Sequence, residues 1–394
     1  MGWDRAVVGF MRQRGIIHHN CALRGLFLFC VLLPVSVWAQ TSLASFDEVA
    51  VQASAAREQG DISHALELYR QGVHLNPKWP DGWWFLGSLH YGANEYTAGR
   101  DALSHYLELT PEAGPALALR GLCEFEIGDY EQSLKDIEHG ISLGAANQPR
   151  NEKILRFHEA ILLAHRGDFE FALQRYGALA REKELSPELL VGAGLAGLRS
   201  PILPKELNAD KAGLFMAVGK AAFLFWSGDH KGAQLEFQTV FQRFPTAVNV
   251  HYFYGYLLFP MDPDEAAVEF RKELEISPAN APAQTMVAWD ALIQNDFPRA
   301  LTYSEKAVAE DPTLPVAQLV LGRALVETGD VKGGIEHLEK ELQLEPGNFE
   351  THLALAKAYS KSGRAEDARR ERLYCLQVAA SSPAQGGMPQ SARR

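Results

Sequence analysis

The chain has 394 residues, with 38 Lys+Arg against 49 Asp+Glu, a formal net charge of −11 and 47% apolar residues. It is too apolar for intrinsic disorder, and its four cysteines are too few for a disulfide-stapled scaffold. The negative balance gives no electrostatic reason to approach nucleic acid or an anionic membrane.

The first element is an export signal. Arg5, Arg12, Arg14 and Arg24 stand against the single acid Asp4, and the uncharged run GLFLFCVLLPVSVWA follows from Gly25 to Ala39. Basic region, short apolar region and a small residue at the exit define a secretory signal over residues 1–39. An uncleaved anchor is the alternative, but the run is short for ~30 Å of hydrocarbon and Pro34 interrupts it. Lipid attachment at Cys30 is disfavoured by the bulky Phe29 before it, and Met11 offers a second start with a signal of more usual length. Without residues 1–39 the chain keeps 34 basic and 48 acidic residues, near −14, and only Cys123 and Cys375. It has no Asn-x-Ser/Thr sequon, which favours a bacterial envelope over a eukaryotic secretory route.

A repeat fills the rest. Pro77 and Pro111 are 34 apart, Pro245 and Pro278 are 33 apart, and Pro278, Pro312 and Pro346 follow at intervals of 34. A small residue precedes each by twelve places: Ala65, Gly99, Ala233, Ala266, Ala300 and Gly334. Four places after the small residue comes a large apolar one in most copies, as in Tyr69, Leu103, Phe237, Phe270 and Leu338. Turns read Gly60-Asp61, Gly128-Asp129, Gly167-Asp168, Gly228-Asp229 and Gly329-Asp330, with Gly closing one helix and Asp capping the next. The pattern predicts two antiparallel helices per unit, approaching closely where the small residue faces its neighbour and ended by the proline. It resembles the tetratricopeptide repeat family, most clearly in PDGWWFLGSLHYGANEYTAGRDALSHYLELTP with Trp83, Leu86 and Gly87 at the family's first-helix positions. The resemblance implies an all-α solenoid of antiparallel helix pairs wound as a right-handed superhelix, with about nine repeats over residues 44–378.

The expected organisation is a signal at 1–39, an N-terminal array of about four repeats at 44–182, a connection at 183–212, a C-terminal array of about five repeats at 213–378 and a disordered tail at 379–394. The third unit lacks a closing proline and runs into residues 145–150. The connection comprises an extra helix, SPELLVGAGLAGLR, and the Pro-rich SPILPKELNADK, and marks a kink or subdomain boundary.

Candidate chemistry is sparse. Gly192, Gly194 and Gly197 form GxGxxG, but Ser186-Pro187-Glu188 reads as a helix start and no strand precedes it, so the glycines read as a helix–helix contact. Thirteen histidines include no HExxH pair; His64, His105, His139 and His337 read as surface or groove residues. Cys123 reads as a core thiol, and six units separate it from Cys375, too far for a disulfide. No nucleophile elbow, P-loop or paired-carboxylate motif stands out, so the chain reads as non-catalytic, with no cofactor and no metal; an enzyme site at the 183–212 kink is the weakest alternative.

What remains is the groove. The family resemblance places the second, fifth, ninth and twelfth residues of each unit on a concave surface. That assigns Asp81, Trp84, Ser88 and Tyr91; Ile154, Phe157, Ile161 and Ala164; Phe215, Val218, Ala222 and Phe225; and Asn249, Tyr252, Tyr256 and Phe259. Later units add Thr285, Trp289, Arg323, Glu350 and Lys357, so the surface is aromatic in mid-array and polar toward the C-terminus. The Lys/Asn pairs with which chaperone-binding members of the family hold a terminal carboxylate are absent. Phe157, Val218 and Phe225 are also suited to the core, whereas Trp84, Tyr252 and Tyr256 favour binding. The expected partner groove is Trp84, Tyr91, Phe157, Tyr252, Tyr256, Phe259, Trp289 and Arg323. The sequence thus predicts an exported scaffold or adaptor of the periplasm or cell surface that binds a protein or peptide, with no nucleic acid, no membrane span after signal cleavage, and self-association at the array ends left open. A carrier of a lipid or glycan chain in the same groove is the alternative.

Overall fold

The computed structural model describes residues 45–181 and 185–381. The expected signal lies outside them, as do residues 382–394 of the expected tail. The described residues form α-helices in the order α1 (Phe46–Gln59), α2 (Ile62–Leu75), α3 (Pro80–Gly92), α4 (Tyr96–Leu109), α5 (Gly114–Ile127), α6 (Tyr130–Ser142), α7 (Pro149–Arg166) and α8 (Phe169–Ala178). There follow α9 (Pro187–Gly197), α10 (Ala209–Trp226), α11 (His230–Arg243), α12 (Val250–Leu258), α13 (Pro263–Ile276), α14 (Ala281–Ile293), α15 (Phe297–Glu310), α16 (Pro315–Thr328), α17 (Val331–Leu344), α18 (Phe349–Lys361) and α19 (Ala365–Ser381). The chain divides between Leu179 and Ala180 into two compact units. The first holds α1–α8 and the second α9–α19. Each is a stack of helix pairs, the all-α solenoid architecture that the period predicts.

The helix punctuation follows the sequence. Gly60, Gly128, Gly167, Gly228 and Gly329 all take positive φ at helix C-termini, where a Cβ is costly. Asp61, Asp129, Asp229 and Asp330 each accept a backbone N–H from the first turn of the next helix. Asp168 is the exception: it makes no cap, and its carboxylate is held by Arg166. In two further turns asparagine stands where these have glycine. Asn94 and Asn295 adopt positive φ there, at 61° and 58°, because asparagine tolerates the left-handed region best among residues with a side chain.

Packing follows the small-residue rule. Gly322 on α16 and Gly334 on α17 face each other so closely that a Cβ on either would lie 2.9 Å or 2.7 Å from the other's carbonyl oxygen. The residue four places after the small one is completely buried in one second helix after another: Tyr69, Leu103, Ile137, Tyr176, Phe237, Phe270, Ser304 and Leu338. In α5 and α16 the third, sixth and tenth residues pack against the preceding repeat. Ala116, Leu119 and Cys123 of α5 are buried, with the Cys123 thiol 3.1 Å from where a Gly99 Cβ would stand. Ala317, Val320 and Ala324 of α16 are buried too, the last two in a cluster with Ala300 of the repeat before.

The 183–212 region has its own packing. α9 lies antiparallel on α10 with the backbones in contact: a Cβ on Gly194 would sit 1.9 Å from the Phe215 carbonyl oxygen, and one on Gly219 1.9 Å from that of Leu190. The Phe253 ring fills the space beside Gly197. The glycines of the GxGxxG run are therefore helix-contact residues. Since α10 also packs on α11, α9–α11 form a three-helix layer inside the two-helix alternation. At the other end, α19 continues through Ser381, past the expected start of the tail.

Candidate functional site

In the second unit the first helices α14, α16 and α18 bring three of the expected residues together. The Arg323 guanidinium lies 5.3 Å from the Trp289 ring centroid and 3.8 Å from Glu350, so one residue from each helix forms a row. Spacing places them there: each is on the first helix of its repeat, and neighbouring first helices stack side by side. A second row runs beside it, where Glu327 of α16 receives both Lys357 and Lys361 of α18. Those two ammonium groups hold the Glu327 carboxyl below the ordinary glutamate range, against the opposing effect of its partial burial. Arg323, Glu350 and Lys357 keep 40%, 55% and 59% of their side-chain surface, so the charged residues are open to solvent, whereas Trp289 is half-buried against the core beneath. The C-terminal end of the surface is polar, as the sequence indicates.

Tyr256 of α12 and Phe259 just after it are half-buried, Tyr256 beside Tyr252 and Phe259 beside Phe270. Tyr252 itself needs correction: it is 6% exposed, with its ring 6.0 Å from Phe270 and beneath the Arg199 guanidinium, which makes it a packing residue. Asn249 also departs from the groove assignment. It sits at positive φ before α12, donates from its side-chain amide to the Leu198 carbonyl, and accepts from Asn280. Val218 and Ala222 are buried between helices.

In the first unit Trp84 and Tyr91 are half-buried on α3, Trp84 against Tyr106 and Tyr91 against Tyr96. Phe157 is buried beside His158, whose ring also meets Phe125 edge-on. The His158 Nδ1–H donates to the Ile154 carbonyl, and burial holds this histidine below its usual range, in the neutral form. Ser88, Ile154, Ile161 and Ala164 are buried as well. The correction has one cause. First-helix residues assigned to the open face are buried in several repeats, because the same helix also packs on its neighbours.

One feature had no signal in the sequence. A cleft of about 430 Å³ is lined by Arg70, Val73, His74, Pro77, Trp83, His105, Glu108 and Leu109, from the second helices α2 and α4 with Trp83 reaching in from α3. None of the expected groove residues lines it. The Trp83 indole N–H donates to the Pro77 carbonyl at 2.8 Å, and its ring lies 4.5 Å from the His105 ring. Among the other singled-out histidines, His64 and His139 are exposed and His337 pairs with the Gln318 side chain. Cys123 and Cys375 are both free, and burial pushes the Cys123 thiol up to about 12, which leaves it unreactive.

Helix pairs at this period, stacked through small residues, define a helical repeat protein. Residues 51–114 and 285–349 match one tetratricopeptide repeat family profile and residues 329–371 match another. The chain is a tetratricopeptide-repeat protein. No curated protein matches it. Among solved structures it is similar to MamA 41-end from Desulfovibrio magneticus RS-1, at 19% identity over 43% of this chain and 97% of that one, with a TM-score of 0.37. It is also similar to yeast Tom70, at 12% identity over 86% and 92% with a TM-score of 0.32, and to the APC/C hetero-tetramer Cut9-Hcn1, at 14% over 84% and 72% with a TM-score of 0.31. With every TM-score under 0.5, these overlays define neither a common superhelical path nor a common partner.

Proposed function

We propose that the protein is a non-catalytic interaction scaffold of the bacterial cell envelope, which holds an extended segment of another protein along its first helices. The observation that carries this reading is the row across α14, α16 and α18 in which solvent-open Arg323 and Glu350 continue from the half-buried Trp289 ring. An aromatic face beside paired charges offers a peptide apolar area together with directional contacts, the composition that binding hot spots favour. Trp84, Tyr91, Tyr256 and Phe259, all half-buried, are further anchors of the same type. The basic and apolar residues ahead of Gln40 support the envelope location. No described helix is long and apolar enough to cross a membrane.

The test is affinity capture from envelope extract with wild type and with the Trp289→Ala/Arg323→Glu variant, each verified as helical by circular dichroism. Wild type retains a protein that the folded variant loses by tenfold or more, the effect of removing an aromatic and a charged anchor worth ~1.4 kcal/mol or more together. Retention of the same protein at the same level by both would remove the first-helix surface from the function.

A further inference from the structure

The two ends of the array depart from the packing seen in α5 and α16 and in the internal second helices. On α1 the third, sixth and tenth residues, which in α5 and α16 pack on the preceding repeat, are Glu48, Val51 and Ala55; all three are exposed, Val51 at 70%. On α19 the small residue is the fully buried Ala368, and four places on stands Arg372, exposed, where the other second helices bury a side chain completely. Beside it Leu373 and Leu376 keep 48% and 66% of their surface, and Arg369 is exposed. A terminal helix could present only polar residues and so close the stack. Here both ends keep aliphatic side chains in the open.

The charges are of opposite sign. Exposed Asp47, Glu48 and Glu58, the last beside Arg57, surround Val51 on α1, while Arg369 and Arg372 flank the two leucines on α19, with that helix's single exposed acid, Glu366, a turn before Arg369. We propose that α19 of one copy packs on α1 of a second copy, placing Leu373 and Leu376 against Val51 and Ala55, with Arg369 and Arg372 facing the acidic rim. The contact continues the stacking of a second helix on the next first helix, and it joins unlike surfaces, so it produces head-to-tail chains or rings. The chain's own C-terminal residues are a poor cover for α19: SPAQGGMPQSARR brings one large apolar residue, Met388, and two further positive charges. This contact is independent of the first-helix row, so the scaffold reading stands or falls without it.

The experiment is sedimentation velocity on the full chain over a concentration series at low and high salt. Wild type shows a concentration-dependent shift to larger species that weakens as salt rises. Arg369→Glu/Arg372→Glu and Glu48→Lys/Glu58→Lys each sediment as monomers alone, since like charges then meet at the contact. Mixed in equal amounts they associate again, each supplying the end the other needs, and this recovery also shows that both variants are folded. A wild type that stays monomeric at every concentration overturns the proposal, as do single variants that associate like wild type or a mixture that fails to associate.

Discussion

Glu124 and Glu341 are the buried carboxyls that resist ionisation. Burial, reinforced by the Asp136 carboxylate, pushes Glu124 up to about 8 against the pull of Arg120. Burial pushes Glu341 up to about 7, although the Asn348 amide donates a hydrogen bond to it. An unfolded glutamate titrates near ~4.3. Between that value and about 7 to 8 the folded chain keeps protons that the unfolded chain has released, so stability falls as pH rises through this window and levels off above it. The melting temperature is expected to rise from pH 8 to pH 7, above the range in which buried His158 and half-buried His337 would oppose it by taking up protons in the unfolded chain. Glu124→Gln and Glu341→Gln, which copy the protonated form, should each raise the pH 8 value and flatten the profile; unchanged slopes in a thermal melt would contradict the assignment. Glu341 has a counterpart in Glu273, whose carboxylate accepts the backbone N–H groups of Asn249 and Tyr252 at the start of α12. The same offset recurs in the two residues: Asn280 lies seven after Glu273 and Asn348 seven after Glu341, and each amide bonds its glutamate. Residues of this kind were not legible in the sequence, because what an interior glutamate does depends on which helix end it meets. Core size was legible: Phe237 and Phe270, each four after a small residue, are completely buried. Phe237→Ala is expected to cost ~3–5 kcal/mol in denaturant unfolding.

Helices were legible where proline, glycine and small residues recur. The turns at Asn94 and Asn295 were missed because asparagine there stands in for the glycine of the other turns. The cleft beside Trp83 was missed because it arises from the angle between α2 and α4, which no spacing records. The three-helix layer α9–α11 was half legible: the extra helix and its glycines stood out, but not that α9 and α10 touch backbone to backbone. That contact makes Gly194 and Gly219 the least replaceable positions in the layer. Gly219→Ala puts a methyl group 1.9 Å from the Leu190 carbonyl oxygen, so the helices must separate. A loss of ~1–3 kcal/mol is expected from overpacking, read as a lower urea midpoint, whereas Gly213→Ala on the same helix, with no atom near its Cβ, is expected to be neutral or slightly stabilising. Equal effects at the two positions would remove the close approach as the cause.

Across the whole molecule, contacts run mainly between neighbouring helices, so stability is a sum of local terms joined by interfaces between adjacent repeats. The division between Leu179 and Ala180 sharpens this expectation. In hydrogen-exchange measurements, Gly219→Ala should lower protection first in α9–α12 and least in α1–α4, the helices furthest along the chain; uniform loss throughout would show a single cooperative block. The functional surface was only partly legible at this scale. Arg323, Trp289 and Glu350 meet as the repeat positions imply, yet Tyr252, assigned to the same face in another unit, turns into the packing.

The paired glycines of α9 and α10 also bear on how such a chain can grow. A gene segment encoding one 34-residue repeat can be copied beside itself in α3–α6 or α14–α17, because the new unit presents to each neighbour the surface that neighbour already accepts. Between Leu190 and Gly219 no copied unit has the two bare backbones that this crossing demands. The layer therefore acts as a fixed joint, and changes in the array's length are confined to the stretches on either side of it.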